Sequence, residues 1–249
     1  MLLLIVSFVL FVNAVSFTYC VSDCEKKVIV SESKTELPKV YLLCGLGAKC
    51  RETFEHVEFP GYEKIYLEYS WKGFSPITAG VQLSSLASPG DMVCGVSIGA
   101  RAIVCSLVAP ERTLLINPCV NSEVLQPKLR KLIRTYHPVL ALIESVLGWI
   151  CVLPIVPMGE GNFQRPTVLM DQLYWVGHDP EVMKYYTPYA LDKYKAGVVL
   201  SMGDEFLDNY RIRDTMPQAD FATVDCFHAR IGDLYEASEY QRAINSLLR

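Results

Sequence analysis

Histidine is scarce in this chain, four in 249 residues. A proton-transfer site built on imidazole must therefore draw on His56, His137, His178 or His228. No Cys-x-x-Cys pair and no Cys/His cluster falls at zinc-ligand spacing, so no metal and no cofactor is implied. Basic runs are missing as well. Lys and Arg total 23 against 27 Asp and Glu, for a net charge of -4, which argues against nucleic acid as a main partner. There is no internal repeat and no low-complexity segment, which sets aside solenoids and flexible linkers. The apolar run from Pro138 to Met158 is broken by Glu144, Pro154 and Pro157, so it does not read as a membrane span.

What is present is ample material for a core. Hydrophobic residues make up 51% of the chain and charged residues 20%, enough for one large α/β domain or two small ones. Met1 to Phe17 is almost unbroken apolar sequence, interrupted by Ser7 and Asn13. Its only positive charge is the terminal amine, and Val12-Asn13-Ala14 has the small-residue style of a cleavage site. Residues 1–24 are expected to be a signal peptide or a short membrane anchor, and membrane association would run through this segment. The protein is then exported or membrane-anchored; without a genuine leader it is cytoplasmic. Nine cysteines is an odd number, so at least one thiol is free of an intrachain bridge. Cys20 and Cys24 could pair after export, while Cys44, Cys94 and Cys105 fall in apolar elements and read as small buried hydrophobes.

Taken in order, the chain alternates. Glu25 to Lys39, with Val28-Ile29-Val30, is a linker or a weak first strand, and Val40 to Cys44 a strong strand that runs into Gly45-Leu46-Gly47. Ile65 to Tyr69 is the next strand, Ile77 to Ala87 a helix, Met92 to Cys94 a strand, Ala100 to Ala109 a helix and Thr113 to Ile116 a strand. That order predicts an α/β, doubly wound, mostly parallel sheet, whose ligands sit beyond the carboxyl ends of the strands. Residues 25–118 form the first part of this core. Residues 119–196 interrupt the alternation and read as a helical cap insertion, with helices near Val124–Tyr136, Val139–Ile150 and Pro180–Tyr194. Its apolar face would line a greasy pocket or pack on the sheet. Residues 197–249 return to the core with strands at Val198–Ser201 and Phe221–Val224. A closing helix follows from Ile231 to Leu248, with Leu234, Ala237, Ala243, Leu247 and Leu248 as candidate core positions.

Gly95-Val96-Ser97-Ile98-Gly99 joins a predicted strand to a predicted helix. Gly-x-Ser-x-Gly in that context is a nucleophile elbow, a sharp turn that presents a serine hydroxyl and needs small residues two positions to either side. The following helix offers free N–H groups and a positive dipole end, where an oxyanion would form. Asp204 follows the strand ending at Ser201, and His228 follows the strand ending at Val224. A serine needs a base to take its proton, and the histidine needs a carboxylate to fix its tautomer. Asp208 lies in the same loop as Asp204 and is the alternative acid; Asp225 is too near His228 in sequence and reads as a turn residue. His56, His137 and His178 follow no terminal strand. Glu144, Glu160, Asp171 and His178 are the raw material of a conceivable second polar site in the insertion.

The order Ser97, Asp204, His228, together with Tyr41 to Gly47, Gly95 to Gly99, Gly203 to Asp208 and Phe227-His228, resembles the α/β-hydrolase superfamily, in its branch of small bacterial esterases and lipase-like enzymes. The resemblance covers about Val40 to Arg249. It implies an α/β-hydrolase fold with a cap, Ser97 as nucleophile, Asp204 as acid, His228 as base, and an oxyanion hole formed by the backbone N–H groups of Leu46 and Ile98. The family commonly carries His-Gly where this chain has Cys44-Gly45, and small or apolar residues where it has Arg101, which is expected to point to solvent. The implied activity is hydrolysis of carboxylic esters or thioesters of a small-molecule substrate through an acyl-enzyme. A non-catalytic, hydrolase-like binding or interaction protein is the alternative, because the fold also hosts members without activity.

Overall fold

The computed structural model describes residues 29–30, 36–45, 48–68, 75–135, 156–158, 162–164, 176–179, 195–228 and 230–248. Residues 1–28, with the expected signal peptide or anchor, Leu46, Gly47 and most of 136–194 lie outside the described residues.

Seven strands form one sheet: β1 (Ile29–Val30), β2 (Lys39–Leu43), β3 (Glu63–Glu68), β4 (Met92–Val96), β5 (Thr113–Ile116), and, after the insertion, β8 (Gly197–Ser201) and β9 (Asp220–Val224). The spatial order is β1-β3-β2-β4-β5-β8-β9. β1 pairs antiparallel with β3 at one edge, and every other neighbouring pair is parallel. The central strands β2, β4 and β5 are apolar at nearly every position because both of their faces are covered. Along β2, Tyr41 and Leu43 face one side with Leu83, Ile98, Ile103 and Ile212, while Val40 and Leu42 face the other with Phe54, Tyr240 and Ile244. The first layer belongs to helices α2 (Pro76–Leu86), α3 (Ile98–Val104) and α4 (Asn209–Thr215). The second belongs to α1 (Cys50–Thr53) and α5 (Leu234–Leu247).

The helices start where the sequence provides caps. Ser75 accepts from the N–H of Thr78 ahead of Pro76, and the side chains of Asp208 and Asp233 accept from the N–H groups two residues on. α5 turns Ala237, Tyr240, Ala243 and Ile244 inward, an i, i+3, i+4 stripe. Two positions expected in its core lie outside: Leu234 is 68% exposed and Leu248 40%. They stand at the two ends of the helix, beyond the sheet that α5 covers, and Tyr240 and Ile244 take the places expected of them.

The insertion is only partly among the described residues. It opens with a single helical turn at Ser122–Val124, capped by Asn121, and residues 127–135 are helical, starting at Pro127. The expected helices at Val139–Ile150 and Pro180–Tyr194 lie outside the described residues. One part departs from the helical expectation: β6 (Val156–Met158) and β7 (Asn162–Gln164) form an antiparallel pair. Gly159-Glu160-Gly161, between Val156-Pro157-Met158 and Asn162-Phe163-Gln164, is a turn signal that a reading by composition passes over. Among the described residues, no helix is long and apolar enough to cross a membrane.

Candidate active site

Three loops at the carboxyl ends of parallel strands carry the site. The first is the turn between β4 and α3. Ser97 has φ 52° and ψ -119°, a backbone conformation that a residue with a Cβ adopts only under constraint. Hydrogen bonds on both sides hold it: its N–H donates to Ile116 O at 3.0 Å, and its carbonyl accepts from the N–H groups of Ala100 (3.1 Å) and Cys119 (3.0 Å). The flanking glycines are steric necessities. A Cβ on Gly95 would stand 2.7 Å from Ile103 Cδ1 and 2.9 Å from Ala100 N; one on Gly99 would stand 2.7 Å from Cys44 O. Strand and helix therefore cross at a distance that only bare backbone allows, and the start of α3 lies against the end of β2.

The second loop follows β8. The Asp204 side chain is fully buried. Its Oδ1 accepts from the N–H groups of Phe206 (2.9 Å) and Leu207 (2.8 Å), which orients the carboxylate. Its Oδ2 stands 2.6 Å from Nδ1 of His228, in the third loop, after β9. Nε2 of His228 stands 3.1 Å from Ser97 Oγ. A carboxylate only accepts, so Nδ1 carries the proton and Nε2 is left to accept from the serine hydroxyl. Carboxylate, imidazole and hydroxyl thus form one unbroken chain, brought together from positions 204, 228 and 97.

Two neighbours of this chain escape sequence reasoning. The Phe206 ring meets the imidazole edge-on, with centroids 5.2 Å apart, and restricts its tilt. Glu205 Oε2 accepts from the backbone N–H of His228 at 3.1 Å and so joins the second loop to the third. Both lie inside the Gly203–Asp208 stretch, but nothing in their spacing marks them.

The alternative acid is occupied elsewhere. Asp208 is the N-cap of α4, accepting from the N–H groups of Tyr210 and Arg211, and its Oδ2 stands 3.3 Å from Arg211 Nε. Ile98 is the first residue of α3, where backbone N–H groups have no partner within the helix. Leu46 lies outside the described residues. The loop it belongs to begins against the elbow, because a Cβ on Gly45 would be 3.1 Å from Ser97 Cβ. Cys44, where the family has histidine, is buried and donates its S–H to Ala48 O at 2.9 Å.

Arg101 reverses the expectation of an outward-pointing charge. It is 0% exposed. Nε donates to Cys119 O (3.1 Å) and Nη1 to His178 O (3.2 Å), and Nη1 lies 3.6 Å from Asp179 Oδ1. Asp179 in turn accepts from the Ser122 backbone N–H at 2.9 Å and pairs with the Ser122 hydroxyl, to which Arg134 Nη2 donates at 2.8 Å. The elbow helix thus anchors the start of the insertion at Cys119 and a later segment of it at His178 and Asp179. The reason is positional: the helix starts at Ile98, so Arg101 sits one turn in, on the face that meets the loop after β5.

His178 contributes its carbonyl to this network, and Glu144, Glu160 and Asp171 of the conceivable second polar site lie outside the described residues. Among the described residues no three His, Cys, Asp or Glu side chains are grouped so as to hold a metal ion. A shallow groove of about 460 Å³ between the loop at His56 and Glu58 and the outer side of α5 shares no lining residue with the hydroxyl-imidazole-carboxylate chain. The six cysteines among the described residues are all buried and unbridged. Burial pushes the thiols of Cys94 and Cys119 upward and that of Cys105 up to about 12, so none of these three is a ready nucleophile.

No protein-family model matches the sequence, and no curated protein matches it. Solved structures do. A thioesterase domain from the curacin biosynthetic pathway superposes with a TM-score of 0.54 at 11% identity, covering 90% of this chain and 100% of that one. A carboxylesterase study of the ammonia-oxidising thaumarchaeon Nitrososphaera gargenis supplies a structure at TM-score 0.56 and 14% identity, over 89% of this chain and 94% of that one. The 1H-3-hydroxy-4-oxoquinoline 2,4-dioxygenase reaches TM-score 0.57 at 13% identity, over 88% and 95%. At such identities the likeness speaks for architecture, and the spread of chemistries among these neighbours makes the same point. With its mostly parallel sheet, its crossing at the elbow and these neighbours, the chain has the α/β-hydrolase fold.

Proposed function

We propose that the protein is a serine hydrolase that cleaves carboxylic esters or thioesters through an acyl-enzyme. The observation that carries this reading is the continuous contact from Asp204 Oδ2 through the His228 ring to Ser97 Oγ, at 2.6 and 3.1 Å. Ser97 Oγ attacks the acyl carbon while His228 Nε2 takes the hydroxyl proton. Asp204 holds the Nδ1 proton in place and stabilises the imidazolium that forms. The oxyanion is stabilised by the N–H of Ile98 at the start of α3 and by that of Leu46 in the loop after β2. Collapse of the tetrahedral intermediate expels the alcohol or thiol, which takes the proton from His228. Water then attacks the acyl-enzyme with His228 as base, and the acid is released. Residues 119–196 act as a cap that shapes the acyl pocket, held to the elbow helix through Arg101 and Asp179. The neighbours named as a carboxylesterase and a thioesterase support the choice of acyl transfer among the chemistries the fold hosts.

The test is hydrolysis of short p-nitrophenyl esters. Ser97→Ala lowers the rate by about 10⁴-fold or more, with an unchanged thermal unfolding midpoint. Activity kept at the wild-type level would remove Ser97 as nucleophile.

A further inference from the structure

Three loops must stay in register for the chain of contacts to Ser97 Oγ to exist, and a second set of buried polar side chains runs behind them, from the loop after β5 past the end of β8 to the histidine loop. Asn117 directly follows β5, is 0% exposed and has φ 44°, a left-handed conformation that asparagine tolerates better than most residues. Ile116, just before it, and Cys119, two residues after it, make two of the backbone bonds that hold the elbow at Ser97. Its Nδ2 donates to Ser201 Oγ at 2.7 Å, and its Oδ1 accepts from the Ser201 N–H at 2.6 Å. Ser201 ends β8 and is 0% exposed; its carbonyl accepts from the Asp204 N–H at 3.2 Å. The Ser201 hydroxyl lies 2.7 Å from the Tyr240 hydroxyl on α5, and Tyr240 donates to Phe227 O at 3.4 Å, one residue before His228.

The hydrogens have a single consistent arrangement. Asn117 donates to Ser201, which leaves the one proton of Ser201 for Tyr240, which leaves the one proton of Tyr240 for the Phe227 carbonyl. Each donor is used once and the chain runs in one direction, from the loop after β5, whose backbone holds the elbow, to the histidine loop. A chain of neutral groups in the dry interior has no water to substitute for a missing member.

We infer that Asn117, Ser201 and Tyr240 form a positioning network, which fixes the distances among Ser97, Asp204 and His228 from behind rather than touching substrate. Tyr240 is its distal member, the one whose removal disturbs the histidine loop while leaving the elbow and the acid loop joined through Asn117 and Ser201. The inference deepens the hydrolase reading and rests on it for its kinetic consequence, though the alignment itself is observable without any substrate.

The experiment compares wild type with Tyr240→Phe and with Ile244→Val, which trims the same buried face of α5 without touching a polar group. Three quantities are read: the thermal midpoint, the downfield Nδ1 proton resonance of His228 (identified by its loss in His228→Ala), and the rate of labelling by a fluorophosphonate probe. In Tyr240→Phe the resonance shifts or broadens, and kcat and the labelling rate fall about tenfold with KM little changed, as a small misplacement of reacting groups produces. Ile244→Val lowers the midpoint but leaves the resonance and the labelling rate alone. A Tyr240→Phe protein with wild-type resonance overturns the network, as does one in which both variants lose labelling in proportion to lost stability. If wild type itself is not labelled, the hydrolase reading fails, and the resonance still decides for or against the network.

Discussion

At the scale of single residues, the division of labour between two aspartates four positions apart is set by what surrounds each. Asp204 is fully buried, with one oxygen held by two backbone N–H groups and the other turned to the imidazole. Asp208 caps α4. Exchanging each in turn should give opposite phenotypes. Asp204→Asn keeps the volume but lets an amide N–H face Nδ1, which selects the wrong tautomer; ester hydrolysis should fall by about 10⁴-fold while folding survives. Asp208→Ala should leave hydrolysis close to wild type and cost about 1 kcal/mol in urea unfolding, the worth of an N-cap. The reverse pattern would make Asp208 the acid. Sequence reasoning favoured Asp204 and kept Asp208 as the alternative acid, because chain order and loop membership are shared and only side-chain direction differs. It reached Ser97 and His228 through context, a glycine-flanked turn between strand and helix and an imidazole after the last strand. Phe206 and Glu205 left no such trace, since an aromatic ring and an exposed carboxylate in a loop fit many roles.

Among elements, the junction of β4, α3 and β2 bears a tight constraint. Gly99 lies where a Cβ would meet Cys44 O at 2.7 Å and Leu43 O at 2.8 Å, both backbone atoms that cannot turn aside. Gly99→Ala should therefore separate α3 from β2, seen as a large drop in soluble yield or thermal midpoint, where Ala at an ordinary helix position would stabilise. Arg101, one turn into the same helix, makes a second test. Arg101→Met removes the donor to two carbonyls and the partner of Asp179. Leaving buried acceptors and a carboxylate without their cation should cost about 3 kcal/mol in denaturant unfolding. Unchanged stability would mean that the buried guanidinium is not needed to hold the insertion. The sequence hides this role, because arginine in a helix is ordinarily a surface residue; only the crossing geometry of α3, with every one of its positions buried, turns it inward. Element ends were similarly illegible. α5 was expected to bury Leu234 and Leu248, yet its inward face is fixed by where the sheet stops, which no local pattern records.

For the molecule as a whole, the alternation of strands and helices made the parallel sheet readable, since β2, β4, β5 and β8 are short apolar runs separated by turn signals. The insertion was much less readable. Apolar content does not fix the secondary structure of a segment that has no regular alternation, and the β6–β7 pair lies between the expected helices. The same buried interior makes stability pH-dependent. Burial raises the thiols of Cys94, Cys105 and Cys119 and the phenols of Tyr41 and Tyr240 above their ordinary values. In the unfolded chain these groups ionise near about pH 8.5 and 10, whereas the folded protein holds their protons longer. The unfolded state therefore releases protons first as pH rises. The stabilisation is fully present below about pH 8 and is lost above it. Urea midpoints should fall steadily between about pH 8 and about pH 10.5, and less steeply in Cys94→Ala, which removes one of the groups. A flat profile would show that these groups titrate alike in both states.

The proposed hydrolysis requires that His228 activate the Ser97 hydroxyl for covalent attack. The most direct measurement is mass spectrometry of the native protein after reaction with a fluorophosphonate, followed by digestion and sequencing of the modified peptide. A single adduct is expected, on the peptide containing Gly95-Val96-Ser97-Ile98-Gly99 and located at Ser97, and absent from His228→Ala. An unlabelled native protein, or an adduct on another residue, would contradict the account.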